Sequence, residues 1–462
     1  MKSINTEKRK VTKILAINYY YYPQNAIGVR RIINIVSQLS SQLNSAKVLV
    51  LSTANHLKKQ SSELPPTYIA KPLATLDLSN FSNWKQKLFG RKKSTRVAAS
   101  SPAAPTNSQN AFRIRHAKLF KSIPGNLVFG EGGWLYVITG FFKGLRFINN
   151  NTVIFTSFSP LSDHLIAFLL KILFPKAIWI ADFRDLYIQK EVADIYAFSF
   201  HNWFLRRLLK NADLVTTVSL GLAKELQNFS SNVRILTNGI GNYQNQKMPG
   251  KVFFSKFRIS YTGSLYGYKR SPEVIFKSLK NALTKNLIDK NDLEIIYAGS
   301  EGALWVEYLT KFDLNMVSNN LGKIDRKEAI RLQQDSVVNI VITWSDQHNK
   351  GILTGKFFEY IEAGNLILVL INGERDEEFE KLVSKTGVGD FFYSKDADRL
   401  EDYICKKYHE WKLNGYLKTN YNQTELQKFT WEHQISEAII KPLNLEADER
   451  SRQFQLQTRC AE

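Results

Sequence analysis

The chain has 462 residues, and 44% of them are apolar, which excludes an intrinsically disordered protein and allows two or three folded domains. The 63 Lys and Arg residues exceed the 42 Asp and Glu residues, so the net charge of +21 predicts an anionic partner: nucleic acid, a membrane surface or a phosphorylated small molecule. Cys405 and Cys460 are the two cysteines, too few for a disulfide framework, and they favour a reducing, cytoplasmic location.

The first elements form a strand–helix–strand pattern. Apolar runs at residues 13–18 and 47–51 predict buried strands, and apolar residues recur at helical spacing between them. Gly28 precedes this helix, where a backbone can approach a ligand closely, although a plain glycine turn is the simpler explanation. A unit of this kind is typical of a doubly wound α/β domain.

Residues 78–130 interrupt the alternation with a basic insertion. They contain ten Lys or Arg residues and no acid, and a low-complexity stretch lies at 98–108. Aromatic residues alternate with the cations between Trp84 and Lys121, a composition that suits the interface of an anionic membrane. We predict peripheral membrane contact through residues 84–121. Contact with another polyanion, or a solvated and partly disordered insertion, stays open.

Polar residues follow the ends of the next predicted strands, at 152–157, 177–181, 214–218 and 233–236. In an open α/β sheet the ligand crevice lies beyond the carboxyl ends of the strands, so these side chains are candidates for a ligand site. They are His164, Asp182, Arg184, Asp185 and Asn238. A structural ion pair within the Asp-x-Arg-Asp motif is the alternative.

The apolar stretch at 165–181 is the best candidate for a membrane span, but Lys171, Pro175 and Lys176 interrupt it. The N-terminus has no apolar stretch of the signal-peptide kind. We therefore expect no transmembrane helix and a cytoplasmic protein, with peripheral contact at the inner face of the membrane as a further expectation.

A polar link at 241–250 predicts a hinge, and a second strand–helix series follows it. Its strands are predicted at 258–262, 293–298, 337–343 and 366–370. We predict an N-terminal domain at 1–245 that carries the 78–130 insertion, a C-terminal domain at 246–425, a closing helix at 426–445 and a polar tail at 446–462.

Two glycine-containing loops of the second series carry residues suited to a nucleotide. Gly263 follows the first strand of this series and precedes Lys269 and Arg270. Thr354-Gly355-Lys356 leads into the helix before the last strand, where free N–H groups and the lysine could hold a phosphate. Glu359, one turn later, could accept hydrogen bonds from a ribose diol. An ordinary helix–strand connection with a surface lysine is the alternative.

Six short segments in this order resemble the motifs of GT-B glycosyltransferases of the family 4 type. They are Tyr22-Pro23 to Gly28, 179–186 (Trp-Ile-Ala-Asp-Phe-Arg-Asp-Leu), 211–219, 236–240, 261–265 and 351–370. The resemblance implies an α/β protein of two Rossmann-like, doubly wound domains that face each other across a cleft, with a nucleotide-sugar donor bound by the C-terminal domain. It also implies transfer with retention of anomeric configuration, without a metal or other cofactor.

The chain departs from this family at two positions. The family has two glutamates eight residues apart; Glu359 matches the second, which contacts the ribose in the family, whereas Gly351 stands at the position of the first. The basic residue that usually follows the donor-domain glycine is replaced by Ser264, and Lys269 and Arg270 come later. The carboxylate contact to the donor sugar is therefore missing or supplied by another residue.

The sequence thus predicts a glycosyltransferase that moves a sugar from a nucleotide-diphosphate donor to a glycan or lipid-linked acceptor. The predicted catalytic residues are His164, Arg184 and Lys356, and no metal ligand is predicted. The predicted donor-binding residues are Gly28, Gly263, Lys269, Arg270, Thr354, Gly355, Lys356 and Glu359. A catalytically silent GT-B scaffold is one alternative. A basic nucleic-acid-binding protein is another, and the lack of a known nucleic-acid motif counts against it.

Overall fold

The structure is a computed structural model that forms two compact units, one of residues 1–236 and 435–462, the other of residues 237–434. It describes residues 8–21, 27–44, 46–53, 73–75, 132–185, 198–241, 254–346 and 353–446. The predicted basic insertion at 78–130, the predicted link at 242–250, Gly351 and the tail beyond residue 446 lie outside the described residues.

The first unit is a parallel sheet with helices between its strands. Its elements are β1 Lys13–Ile17, α1 Ile27–Gln42, β2 Lys47–Thr53, β3 Leu73–Thr75, α2 Trp134–Leu145, β4 Thr152–Phe158, α3 Leu161–Leu173, β5 Ile178–Phe183, α4 Phe198–Leu209, β6 Leu214–Thr217, α5 Leu220–Leu226 and β7 Val233–Ile235. The seven strands lie in the order β3-β2-β1-β4-β5-β6-β7. Every residue of β4 and β5 is buried, as expected for central strands covered on both faces.

The second unit repeats this plan with six strands in the order β10-β9-β8-β11-β12-β13. Its elements are β8 Phe257–Thr262, a 3₁₀ turn Gly267–Arg270, α6 Glu273–Thr284, β9 Leu293–Ala298, α7 Gly302–Lys311, a 3₁₀ turn Asn315–Val317, β10 Ser318–Asn320, α8 Arg326–Gln334, β11 Val338–Ser345, α9 Gly355–Ala363, β12 Leu366–Gly373, α10 Glu377–Thr386, β13 Gly389–Tyr393, α11 Ala397–Asn414, α12 Gln423–Gln427 and α13 Trp431–Ile435. The prediction of two doubly wound α/β units is therefore confirmed.

Apolar clusters cover both faces of the second sheet. On one face Leu279 of α6, Trp305 of α7 and Tyr408 of α11 pack against the strands. On the other face Phe357 of α9 and Phe379 of α10 pack against them. Burial of both faces explains why the strands appear in the sequence as unbroken apolar runs.

The strand order reverses once in each sheet, between β1 and β4 in the first unit and between β8 and β11 in the second. At such a point the loops that follow neighbouring strands leave in opposite directions and open a crevice at the carboxyl ends. Gly263 follows β8 directly. Gly28, predicted to precede α1, is instead the second residue of this helix, which follows the connection from β1. The topology therefore brings the predicted glycines to these reversal points.

The last described segment differs from a single closing helix at 426–445. It consists of α12, α13 and a π-helical turn at Ser436–Ile440. Its end returns to the first unit, where Arg9 N–H donates to the Asn444 carbonyl at 2.8 Å and Glu446 N–H donates to the Arg9 carbonyl at 3.0 Å. In the part of the chain that the structure describes, no helix is both long and apolar enough to span a membrane.

Candidate functional site

Gly263 and Lys356 lie against each other at the carboxyl end of β8. A Cβ atom on residue 263 would be 2.5 Å from Cε of Lys356, so a larger residue would displace the lysine side chain. Glycine at 263 therefore lets the Lys356 side chain lie against the backbone, and the two residues that the sequence assigned to one diphosphate do come together.

Lys356 occupies the first turn of α9, whose N-cap is Thr354. The Thr354 side chain makes no capping hydrogen bond, so it does not occupy the N–H groups of this turn. Burial lowers the pKa of Lys356; the charge of Glu359 acts to raise it, and the charges of Arg270 and Arg326 lower it further. Three cations and a helix N-terminus thus converge here, and an anion bound among them would relieve their mutual repulsion.

Glu359 lies one turn beyond Lys356 and accepts a hydrogen bond from Nη1 of Arg326 at 2.8 Å. Both side chains are largely buried, with 21% of Arg326 and 14% of Glu359 exposed. Sequence reasoning missed Arg326. The available signal was the Asp325–Glu328 spacing of a capping box, which marks Arg326 as the first residue of α8.

Buried hydrogen bonds hold α9 against the end of β8. The Thr262 backbone N–H donates to the Tyr360 hydroxyl at 3.0 Å, and Nε2 of Gln333 on α8 donates to Oγ1 of Thr262 at 2.9 Å. Burial raises the pKa of Tyr360 to about 12, so its hydroxyl stays protonated. These contacts fix the position of Lys356 and Glu359 relative to Gly263.

Lys269 and Arg270 follow in a 3₁₀ turn, where they contact aromatic rings. The Arg270 guanidinium carbon is 4.5 Å from the centroid of the Tyr266 ring and 5.2 Å from that of Trp344. Nζ of Lys269 is 5.4 Å from the Trp344 centroid. Arg270 is buried whereas Lys269 is exposed, so Lys269 is the cation of this pair that a ligand can reach without rearrangement.

Glu301, which sequence reasoning missed, fixes the loop after Gly263. Its carboxylate accepts hydrogen bonds from the backbone N–H groups of Leu265 at 2.6 Å, Tyr266 at 3.0 Å and Gly267 at 2.8 Å, and from the Ser264 hydroxyl. Burial acts to raise the pKa of Glu301, but these four hydrogen bonds hold it below its usual value. Glu301 thus already uses three N–H groups of this loop, which are not available to a phosphate.

In the first unit, Asp182 forms a buried ion pair with Arg31 of α1. Nε and Nη2 of Arg31 donate to its carboxylate at 3.1 and 2.7 Å, and the hydroxyls of Ser157 and Thr216 donate at 2.9 and 2.8 Å. Burial opposes ionisation, but the charge and hydrogen bonds of Arg31 hold the pKa of Asp182 below its usual value. Asp182 of the predicted cluster is therefore structural, and its cationic partner comes from another element.

Arg184 of the same motif lies on Gly28. Its guanidinium occupies the space where a Cβ atom of residue 28 would be, and its Nε donates to the Phe158 carbonyl at 3.1 Å. Burial lowers the pKa of Arg184. The predicted pair thus places a cation beside the N-terminus of α1, and two positive groups at one point favour an anionic ligand.

His164 lies buried at the start of α3. Its Nδ1 is 2.7 Å from Oγ1 of Thr156, and its Nε2 has no hydrogen-bond partner among the described residues. Burial lowers the pKa of His164 to about 3, so the ring is neutral near pH 7. The neighbouring Asp163 accepts from Tyr19 N–H at 3.0 Å and from the Tyr136 hydroxyl at 2.7 Å, and burial raises its pKa to about 8.

Comparison with known proteins shows similarity of fold only. No family model and no curated protein sequence matches the chain. Solved structures match along nearly its whole length. The N-terminal domain of Candida albicans trehalose-6-phosphate phosphatase matches 95% of this chain and 97% of its own, with a TM-score of 0.56 and 11% identity.

Two further structures have a TM-score of 0.51. One is trehalose-6-phosphate from E. coli bound with UDP-2-fluoro glucose, with 11% identity over 94% of this chain and 100% of that one. The other is α,α-trehalose-phosphate synthase (UDP-forming) from Burkholderia xenovorans in complex with glucose-6-phosphate, with 9% identity over 93% and 99%. The chain has the two-unit, Rossmann-like GT-B fold. Identities this low show the fold alone.

Proposed function

We propose that this protein is a glycosyltransferase that moves a sugar from a nucleotide-diphosphate donor to a glycan or lipid-linked acceptor. The observation that carries the proposal is the packing of Lys356 on Gly263 at the N-terminus of α9, with Glu359 one turn further on. It combines a close backbone approach, a cation, helix N–H groups and a carboxylate, which together suit a diphosphate and a ribose. The GT-B fold and the UDP-2-fluoro glucose in one similar structure agree with it.

In this proposal the second unit binds the donor through ionic contacts and hydrogen bonds. Lys356 and the N–H groups of Thr354–Lys356 hold the diphosphate, Lys269 reaches it from the loop after Gly263, and Glu359 accepts from the ribose hydroxyls. When the glycosidic bond breaks, negative charge develops on the leaving diphosphate, and these fixed donors stabilise it without reorganising. We propose transfer with retention and without a metal ion.

His164 and Arg184 have orienting roles in the proposal. A neutral His164 cannot donate a proton as an imidazolium, and its Nε2 is buried, so a hydrogen bond from this atom to a sugar hydroxyl requires the surrounding side chains to move. Arg184 supplies positive charge at the N-terminus of α1 and pairs with an anionic group of the donor or acceptor. No general base is assigned, because the departing phosphate itself can take the acceptor proton.

A thermal-shift panel of nucleoside diphosphates and sugar nucleotides tests the proposal. We expect one nucleotide to raise the melting temperature of the wild type and of Lys277→Met, an exposed control on α6, but not of Lys356→Met. If no nucleotide stabilises the wild type, the proposal is wrong. If a sugar nucleotide binds but is never hydrolysed or transferred, the catalytically silent scaffold replaces it.

A second observation favours an acceptor at a lipid surface. Trp134, Ile138 and Phe142 project from successive turns of α2, with 47%, 44% and 60% of each side chain exposed. Phe200 and Trp203 of α4 are also exposed. Exposed apolar side chains in a row mark a surface that binds a membrane or another protein.

In this proposal the occupant is an anionic bilayer, which the charge of these two segments supports. Residues 132–150 and 198–210 contain five cations and no Asp or Glu. They are Lys143, Arg146, Arg206, Arg207 and Lys210. A second copy of this chain would present the same positive charge and be repelled, whereas anionic lipid headgroups would be attracted. Membrane contact through residues 84–121, which lie outside the described residues, stays a prediction.

A further inference from the structure

Two oppositely charged residues lie on adjacent turns of α9. Lys356 and Glu359 are three residues apart, a spacing at which a lysine and a glutamate on one helix face commonly pair with each other. Such a pair would neutralise the cation that the proposed donor site needs for phosphate. It would also turn the carboxylate away from the ribose.

The structure pairs Glu359 with Arg326, on another helix. Nη1 of Arg326 donates to Oε1 of Glu359 at 2.8 Å, and both side chains are largely buried, so solvent screens this ion pair weakly. An ionised carboxylate has two oxygens with about four acceptor sites, so the one bond from Arg326 does not use all of its capacity to accept hydrogen bonds.

Arg326 is itself held in place by the start of α8. Oδ1 of Asp325 accepts from the Glu328 backbone N–H at 2.9 Å, while Oε2 of Glu328 accepts from the Asp325 N–H at 3.1 Å. This reciprocal cap fixes the backbone immediately before Arg326. Little further backbone freedom is therefore lost when the Arg326 side chain pairs with Glu359.

We propose that Arg326 is a positioning residue, which holds Glu359 toward the ribose hydroxyls and keeps that carboxylate from neutralising Lys356. The inference rests on the proposed nucleotide site and adds a residue that neither the motifs nor the fold assigns. Without Arg326, Glu359 turns to Lys356, and both the ribose contact and the phosphate contact weaken.

Binding of UDP, ADP and GDP, each beside its 2′-deoxy analogue, tests this role by calorimetry. For the nucleotide that binds, we expect the wild type to prefer the ribose form roughly tenfold, the scale of one charge-assisted hydrogen bond. Arg326→Gln should bring this preference close to one, and Arg326→Lys should keep part of it. Arg331→Gln, an exposed arginine on the same helix, should leave it unchanged.

Two double variants separate positioning from a general loss of stability. In a Glu359→Gln background, Arg326→Gln should no longer change the ribose preference. In an Arg326→Gln background, Lys356→Met should weaken nucleotide binding less than it does in the wild type. The melting temperature of each variant shows that it is folded, and Arg326→Lys supplies the measurement if Arg326→Gln does not fold.

The outcomes distinguish this inference from the function on which it rests. If the wild type binds none of the three nucleotides, the proposed function fails. If it prefers the ribose form and Arg326→Gln keeps that preference, the inference alone is wrong.

Discussion

The side chain of Lys356 packs against the backbone of Gly263, although the two residues are far apart in the chain. The contact exists because β8 ends beside the start of α9, where the strand order of the second sheet reverses. Hydrogen bonds from Thr262 to Tyr360 hold that junction together. A diphosphate site at this junction would depend on the absence of a side chain at residue 263.

Gly263→Ala tests this dependence. The new methyl group would lie 2.5 Å from Cε of Lys356 and displace its ammonium group, so we expect nucleotide affinity to fall about tenfold, the loss of one charge-assisted contact. Gly267→Ala is the control for backbone strain. Residue 267 has φ +64°, which strains an alanine, but a Cβ atom there would have no neighbouring atom within 4 Å. Equal loss of affinity in both variants would contradict the role of the contact.

Glu301→Gln tests how the loop after Gly263 is held. The amide cannot provide the charged acceptor on which three backbone N–H groups converge, so we expect a loss of about 2 kcal/mol in the free energy of unfolding and a raised KM for the donor. Urea denaturation and donor titration measure the two effects. Glu307→Gln, exposed on the same helix α7, should change neither.

Asp182→Asn and Asp185→Asn compare how much each acid of the Asp-x-Arg-Asp motif contributes to the free energy of unfolding. Asp182 is buried with Arg31, so its substitution removes the carboxylate that faces this buried guanidinium and should cost about 3–5 kcal/mol of unfolding free energy. Asp185 is exposed, and its substitution should cost less than about 0.5 kcal/mol. Chemical denaturation gives both values, and similar costs would show that the ion pair is not the cause.

His164 makes stability depend on pH in a defined direction. Its pKa is lowered from 6.5 to about 3 in the folded state, so the unfolded chain binds a proton first as the pH falls. The contribution of His164 to the free energy of unfolding is therefore fully present above pH 6.5 and is lost progressively as the pH falls toward 3.

We expect His164→Asn to lose less unfolding free energy than the wild type between pH 7 and pH 4.5. The variant keeps a polar group near Thr156 but has nothing to protonate in this range. His409→Asn, at an exposed histidine, serves as the control and should follow the wild type. If the two variants show the same slope, the burial of His164 does not control the pH dependence.

Membrane contact is tested with the exposed residues of α2. Trp134→Ser combined with Phe142→Ser should reduce co-sedimentation with vesicles that contain anionic lipid at least tenfold, since two large apolar side chains no longer enter the interface. Met316→Ser with Leu413→Ser, also highly exposed but in the second unit, should bind as the wild type does. Binding of the wild type that is equal for neutral vesicles would contradict the charge argument.

Local pattern was enough to predict the strands and the places where they end. The predicted strand at 293–298 coincides with β9, and the helix predicted after Thr354-Gly355-Lys356 is α9, which ends at Gly364 in the left-handed conformation, with φ +82°. Strand periodicity, apolar runs and glycine caps act over a few residues, so a sequence contains them directly. Doubly wound topology then follows from the alternation of elements.

The closing segment and the unit boundary were less predictable. The structure divides the chain at 236/237 and again at 434/435, because residues near 445 pair with Arg9 in the first unit. A linear pattern contains no signal for such a return. Helices α7 and α8 were missed for a related reason: α7 is ordered by the packing of Trp305, Tyr308 and Leu309, and α8 begins at a capping box, so neither shows a long apolar period.

The sequence by itself determined two α/β units, the ends of their strands and the glycine, lysine and glutamate residues placed at those ends. Only the tertiary structure decided which charges meet. It paired Asp182 with Arg31 rather than with Arg184, Glu359 with Arg326, and Glu301 with three backbone N–H groups. Ion pairs between distant segments depend on which elements become neighbours when the apolar faces pack. The arrangement of elements keeps exposed apolar surface and unpaired buried charge low over the whole unit, so it cannot be read from one segment.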